Sequence, residues 1–248
     1  MTGPPGPLAG HVAVVTGSAS GIGRAVARAF AARGAAVLVN SARSVEAGQA
    51  LADELPDAAY VQADISVEAD VARLVAVARE RWGRIDTLVN NAGTTVVIDH
   101  GDLEAADLGV WRDIFSVNVF GTWATTVAAV PLLRSSGGSV VNIGSTSALT
   151  PTGSSVPYAA SKAAVHHMTV LLAKALGPEV RVNAVAPGLT DTPWTADWTA
   201  KRAQIGALAP LRRSGRPEEV AEMVLVLATA SYVTGQVVAV DGGLSIVT

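Results

Sequence analysis

Short runs of β-branched and aliphatic residues recur along the chain, each followed by a longer segment with helical spacing. This alternation restricts the fold more than any other feature. Strands are expected at His11–Thr16, Ala36–Asn40, Ala59–Gln62, Thr87–Asn90, Ser139–Ile143, Arg181–Val185 and Gln236–Val240. Between them the spacing predicts helices from the turn after Thr16 to about Arg33, then over Ser44–Leu55, Glu68–Trp82, Ala105–Leu133, Ser155–Leu176 and Glu218–Ala228, with Gly34 and Gly83 as C-caps. Strands apolar on both faces and separated by helices require a parallel sheet covered on both sides. The expected class is therefore α/β, a doubly wound parallel seven-stranded sheet with helices on both faces. No linker interrupts the alternation. Residues 9–248 are expected to form one domain, 1–8 a flexible tail, and the irregular stretch 188–214 a lid.

Half of the residues are hydrophobic, enough for a large core, and the net charge is only −3. Without a basic stripe or a block of like charge, neither nucleic acid nor a membrane surface is an expected partner. No uninterrupted apolar stretch reaches bilayer length. The chain has no cysteine, which excludes disulfides and thiolate ligands and fits a reducing cytoplasm. The first residues carry no basic region followed by an apolar run, so no secretory signal is expected.

The turn after the first strand reads Thr16-Gly17-Ser18-Ala19-Ser20-Gly21-Ile22-Gly23. Glycine permits positive φ and close approach to the backbone, and the helix behind it offers free N–H groups and partial positive charge. That suits the pyrophosphate of a dinucleotide. A carboxylate ending the second strand would bond both ribose hydroxyls; here the strand ends Asn40-Ser41-Ala42-Arg43-Ser44. Arg43, helped by Ser41 and Ser44, can pair with a 2′-phosphate, so NADP(H) is preferred and NAD(H) remains possible. Asp64 either accepts from the adenine amino group or caps the next helix.

Tyr158 and Lys162, four apart, share one helix face. A phenol titrates near 10, and an ammonium about 4 Å away is worth ~4 kcal/mol at an effective dielectric near 20. A close Lys162 is thus expected to lower the Tyr158 pKa. Ser145 follows the fifth strand, where parallel sheets open their ligand crevice, and its hydroxyl can polarise a carbonyl. Asn118 lies inside a long helix, where an amide is a poor helix former that needs partners; it is a functional group, a satisfied core amide, or a kink.

Together these residues resemble the short-chain dehydrogenase/reductase family over about residues 8–246. The resemblance rests on Thr16-Gly17-x-x-x-Gly21-Ile22-Gly23, Asn90-Asn91-Ala92-Gly93, Asn118, Ser145, Tyr158-x-x-x-Lys162, Pro187-Gly188 and Asp241-Gly242-Gly243. It implies a Rossmann-type fold and hydride transfer between a nicotinamide and a ketone or secondary alcohol. Tyr158 would exchange the proton, Ser145 hold the substrate oxygen, Lys162 lower the phenol pKa and bond the nicotinamide ribose, and Asn118 anchor a water that serves Lys162. Asn91, Ala92 and Gly93 would line the cofactor channel, Asp64 and Ile65 bracket the adenine, and Pro187, Gly188 and Thr192 meet the nicotinamide. The implied chemistry needs no metal, and the implied assembly is a homotetramer. The run from Asn40 to Ser44 is similar to that of NADPH-using 3-oxoacyl-carrier-protein reductases. Two departures stand out: Gly144 replaces the frequent serine before the catalytic one, and Ser20 is not the basic residue of many NADP users.

Substrate choice is expected in Thr94–Gly101, Ala148–Val156 and Gly188–Ser214; the last carries Leu189, Trp194, Trp198 and Leu208. Such a wall suits an apolar-bodied ketone, although both Trp can equally pack the lid onto the body. A 3-oxoacyl thioester, a cyclic, aromatic or steroid-like ketone and a sugar-type polyol remain open. The competing reading is a non-catalytic NADP(H)-binding sensor. A sugar epimerase would need more chain after the sixth strand.

Overall fold

Residue alternation in the strands explains why the sheet carries a core on each face. In β1 (Val12–Val15) all four residues are buried. Ala13 and Val15 pack with Val26, Phe30 and Val224 on one side, and Val14 packs with Leu74, Leu133 and Leu172 on the other. The computed structural model describes residues 6–247. Its remaining strands are β2 (Ala36–Ser41), β3 (Ala58–Gln62), β4 (Thr87–Asn90), β5 (Ser139–Ile143), β6 (Arg181–Pro187) and β7 (Val237–Val240). All seven are parallel, in the order β3-β2-β1-β4-β5-β6-β7. The order reverses between β1 and β4, the switch point at which such sheets open a crevice beyond the strand C-termini. This is the Rossmann-type doubly wound sheet.

The helices are α1 (Gly21–Ala31), α2 (Val45–Glu54), α3 (Glu68–Trp82), α4 (Leu108–Phe115), α5 (Thr122–Ser136), α6 (Val156–Leu176), α7 (Thr199–Leu208) and α8 (Pro217–Thr229). Gly83 closes α3 at φ +71°, as its position predicts. Gly34 also takes a positive φ, but two residues past the α1 cap at Ala32. The expected helix Ala105–Leu133 instead starts at Leu108 and widens into a π turn over Ser116–Gly121 before α5. Gly121 sits where a Cβ would come within 2.7 Å of the Ile65 side chain, so the widened turn packs on the loop after β3.

The continuous helical stretch Leu108–Ser136 is long and apolar enough by length and composition to cross a bilayer, although Arg112, Asp113 and Arg134 interrupt its apolar run. Here it lies on the sheet with Ile114, Ala129 and Leu133 wholly buried, while Phe120, Trp123 and Val127 on it stay exposed. The expected tail 1–8 is corrected in part: residues 1–5 lie outside the described residues, but Leu8 donates its N–H to the Arg33 carbonyl and packs on the core. An apolar leucine with a satisfied backbone has reason to stay.

Candidate active site

The turn from β1 into α1 takes φ of +62° at Gly17 and +53° at Gly21, a region that side chains with a Cβ rarely enter. A Cβ on Gly17 would lie 2.8 Å from the Ala92 Cα. The N-cap Ser20 makes no side-chain bond to the helix, so the first-turn N–H groups of α1 keep their donor capacity. Gly17, Ser20, Gly21 and Ile22 line a cleft of about 960 Å³. Bare backbone, uncapped donors and the helix dipole together fit a pyrophosphate. Gly23 serves packing instead. A Cβ there would lie 2.5 Å from Nδ2 of Asn91, the amide that donates to the Thr16 and Gly17 carbonyls at 2.9 and 3.0 Å. Asn91 therefore braces the turn from below.

Asn40 is a brace as well. Its Oδ1 accepts the Gly17 N–H at 3.2 Å, and its Nδ2 donates to the Val61 and Ala63 carbonyls at 3.1 and 3.0 Å. With both ends of the amide committed and the residue 1% exposed, its side chain holds the glycine turn to β3 rather than offering itself to a ligand. The Ser41 hydroxyl is likewise engaged, with the Ser44 carbonyl and the Tyr60 hydroxyl. Arg43 and Ser44 line the same end of the cleft and are exposed. Among the described residues Arg43 has no ion-pair partner. The Asp64 carboxylate accepts the Ser66 N–H and hydroxyl at 2.9 and 2.7 Å. It thus tightens the turn ahead of α3 without capping that helix, whose N-cap is Val67 with no side-chain bond, and it lines the cleft. Ile65 lines the cleft too, but only 4% of it is exposed because its side chain seats on Gly121.

At the other end, β5 runs out into Ser145, and α6 starts with Ser155 accepting the Tyr158 N–H. The Ser145 hydroxyl lies 3.1 Å from both the Ser147 hydroxyl and its N–H, and it lines the same cleft as Tyr158. Burial pushes the phenol above its ordinary value, and the neighbouring Ser145 hydroxyl pulls it back in part. Lys162, one turn on and 4% exposed, donates to the Ile143 carbonyl at 2.8 Å, with its Nζ 5.8 Å from the Tyr158 ring centre. Burial pushes its pKa down to about 8. The net shift of the phenol is upward, opposite to the lowering expected from a close Lys162. The ammonium points to a backbone carbonyl, and desolvation, which disfavours both charged forms, governs both groups.

Asn118 sits in the π turn. It bonds the Thr94 backbone through Oδ1 and Nδ2 at 2.8 and 3.0 Å, and its Nδ2 also reaches the Ser161 hydroxyl at 3.0 Å. Its amide is satisfied, and it ties the strand-β4 exit to α6 close to Lys162. Gly93 permits that closeness, since a Cβ there would face Asn118 Oδ1 at 3.3 Å and Lys162 Nζ at 3.6 Å. Beyond β6, a Cβ on Gly188 would lie 2.8 Å from the Asp241 Cβ, and one on Gly21 would lie 3.2 Å from Thr192, which faces it across the cleft. Pro187, Gly188 and Thr192 all line the cleft.

Trp194 meets the Tyr158 ring edge-on at 6.4 Å and is half exposed. Trp198, also in the cleft wall, lies under the Lys201 ammonium at 4.6 Å. The stretch before α7 is tied down through Asp191, which binds Arg202 and the Ser214 hydroxyl at 2.6 and 2.8 Å. Sequence reasoning missed Ser147 and His166. The signal for His166 was Gly144: a Cβ at 144 would overlap the imidazole. It also missed a buried bridge in which Asn90 Nδ2 donates to Asn142 and Thr126, and Asn142 Nδ2 to Thr169, all at 2.9 Å.

A family model described as enoyl-(acyl carrier protein) reductase matches residues 17–245. The chain is 58% identical over 236 residues to a proposed ketoacyl reductase 2 of the granaticin polyketide synthase of Streptomyces violaceoruber, covering 94% of this chain and 95% of that one. Among solved structures it is similar to a short-chain dehydrogenase/reductase of the glucose/ribitol dehydrogenase type from Brucella melitensis, with a TM-score of 0.90, 32% identity, and coverage of 97% and 99%. It is also similar to a 3-ketoacyl-(acyl-carrier-protein) reductase from Brucella melitensis complexed with NADH, with a TM-score of 0.89, 34% identity, and coverage of 96% and 99%. With a crevice at the sheet's switch point and similarity along nearly its whole length to dehydrogenases and ketoacyl reductases, the chain belongs to the short-chain dehydrogenase/reductase family and is an oxidoreductase of CH–OH and C=O groups.

Proposed function

We propose that this protein reduces a 3-oxoacyl thioester or a related apolar-bodied ketone to the secondary alcohol, with NADPH as the reductant and Tyr158 as the general acid. The observation that carries the reading is the convergence of Ser145, Tyr158 and Lys162 on the cleft that the glycine turn also lines. When bound, the nicotinamide supplies a hydride to the carbonyl carbon. The protein does the rest. The turn from Gly17 to Gly23 receives the pyrophosphate, and Ala92, Gly93, Pro187, Gly188 and Thr192 flank the nicotinamide end. Ser145 and Tyr158 grip the carbonyl oxygen, and the phenol gives it a proton. A phenol held above its ordinary value is fully protonated at neutral pH, as a donor must be. Lys162, bonded to the Ile143 carbonyl with its ammonium 5.8 Å from the phenol ring centre, sets a positive charge within the same site, and Asn118 fixes the backbone around it. Trp194 and Trp198, in the lid formed by 188–214, wall the substrate.

The choice of NADPH rests on Arg43 and Ser44 at the end of β2, where no acid stands. A charge-assisted bond to a phosphate contributes about 1.5–3 kcal/mol. Arg43→Ala is therefore expected to raise the KM for NADPH about 10- to 100-fold and leave that for NADH within a factor of two. Equal effects on both would assign Arg43 to solvent. The substrate reading draws on the two ketoacyl reductases to which the chain is similar. A panel of 3-oxoacyl thioesters, cyclic ketones and sugars tests it by the loss of NADPH absorbance, with the thioesters expected to give the highest kcat/KM. No consumption with any carbonyl would overturn it.

One observation favours a non-catalytic NADP(H)-binding sensor: the Lys162 ammonium is bonded to the Ile143 carbonyl. Tight NADPH binding without turnover across the panel would establish that reading. The exposed apolar residues Phe120, Trp123 and Val127 support a homotetramer in which this helical face is covered. The absence of cysteine from the sequence supports a cytoplasmic setting.

A further inference from the structure

His166 stands on α6 one turn beyond Lys162, 8% exposed. Its Nε2 accepts the Ser145 backbone N–H at 3.3 Å. The imidazole occupies the space that a side chain at 144 would need, since a Cβ built on Gly144 would overlap Nε2 and come within 2.6 Å of Cδ2. Gly144 and His166 are thus one feature written at two places in the sequence. Where position 144 carries a side chain, an imidazole cannot seat here. Where it is glycine, the strand exit gains a rigid acceptor in place of that side chain.

We propose that His166 is a positioning residue for Ser145: a neutral imidazole, seated in the gap left by Gly144, holds the Ser145 backbone so that its hydroxyl faces the Tyr158 phenol. The inference rests on the reading of Ser145 as a holder of the substrate oxygen and deepens it. The N–H donated by Ser145 requires Nε2 to be a lone-pair acceptor, which assigns the proton to Nδ1. Burial and the nearby Lys162 ammonium both disfavour a second proton, bringing the imidazole down to about 4. The acceptor is therefore present throughout the neutral range. Ser145 itself has a second local tie, through Ser147, so losing His166 would let the Ser145 backbone shift without unfolding the turn. A displacement of the order of 1 Å near reacting atoms costs up to about 100-fold in rate.

Two substitutions of similar size separate positioning from packing. His166→Leu removes the acceptor and is expected to lower kcat for ketone reduction at least about tenfold, with the KM for NADPH within a factor of two. His166→Gln keeps a carbonyl acceptor within reach and is expected to restore kcat to within about threefold of the wild type. Both lose the ring, so a packing role would lower the melting temperature and kcat of the two alike. A second readout does not depend on turnover. Nitrogen NMR of histidine-labelled protein at neutral pH is expected to find Nε2 of His166 unprotonated and Nδ1 protonated. Equal kcat in the two variants, or a proton on Nε2, overturns the inference. A wild type that consumes no NADPH sinks the reductase reading instead, and the NMR result then decides the His166 contact.

Discussion

Tyr158→Phe is expected to lower kcat about 10²- to 10⁴-fold while leaving the melting temperature and NADPH affinity close to those of the parent. The range is what a positioned general acid contributes. The substitution removes one oxygen and keeps the ring, whose edge contact with Trp194 survives. Ser145 retains Ser147 as a partner, so no buried hydroxyl is stranded. The direction of the phenol shift adds a pH signature. Because burial raises the pKa above its ordinary value near 10, reduction is expected to hold a flat rate through neutral pH and fall only in alkali. Alcohol oxidation, which needs the phenolate, is expected to climb with pH over the same range. Measuring kcat in both directions across pH checks this, and an oxidation rate already on a plateau at pH 7 would mean that the phenol is lowered in the working enzyme.

Lys162→Met carries opposite effects on function and stability. The ammonium is 4% exposed, without an acid partner among the described residues, and burial alone brings it down to about 8. Against an unfolded value of 10.5 that is a strain of ~3 kcal/mol at neutral pH. Loss of the bond to the Ile143 carbonyl opposes the gain by about 1 kcal/mol. The variant is therefore expected to be more stable by about 2 kcal/mol at pH 7 and to lose activity about 100-fold or more. Between pH 8 and 10.5 the unfolded chain binds the extra proton, so wild-type stability is expected to rise with pH through that window and the variant's to stay flat. Urea unfolding at pH 7 and pH 10 measures both. A variant less stable than the wild type at pH 7 would show that the ammonium is compensated in solution.

Local pattern was enough for the parts of the fold that depend on short-range chemistry. The bounds of α3, β4 and β5 are those predicted, because Gly83 ends the helix and the two strands are bounded by turn residues. The π turn at Ser116–Gly121 was not legible, since it answers to Asn118 bonding Thr94 and Ser161, partners 24 and 43 residues away. Tertiary bonding also reassigns Asn40, whose amide is consumed at both ends in bracing the glycine turn, while Asn91 lines the cleft as expected and braces the turn through its Nδ2. The Lys162 orientation depends on a carbonyl exposed where β5 ends, which spacing within α6 cannot report. His166 had one trace in the sequence, the missing side chain at Gly144, whose meaning appears only when the two positions meet.

The central claim is that a hydride and a proton reach one carbonyl in this cleft. It is tested most directly by incubating the protein with a 3-oxoacyl thioester and NADPH deuterated at the transferring carbon, then locating the label by mass spectrometry. The account predicts one deuterium at the carbinol carbon of the 3-hydroxyacyl product with wild-type protein and almost none with Tyr158→Phe. Unlabelled substrate recovered from the wild type, or equal labelling by the two proteins, would contradict it.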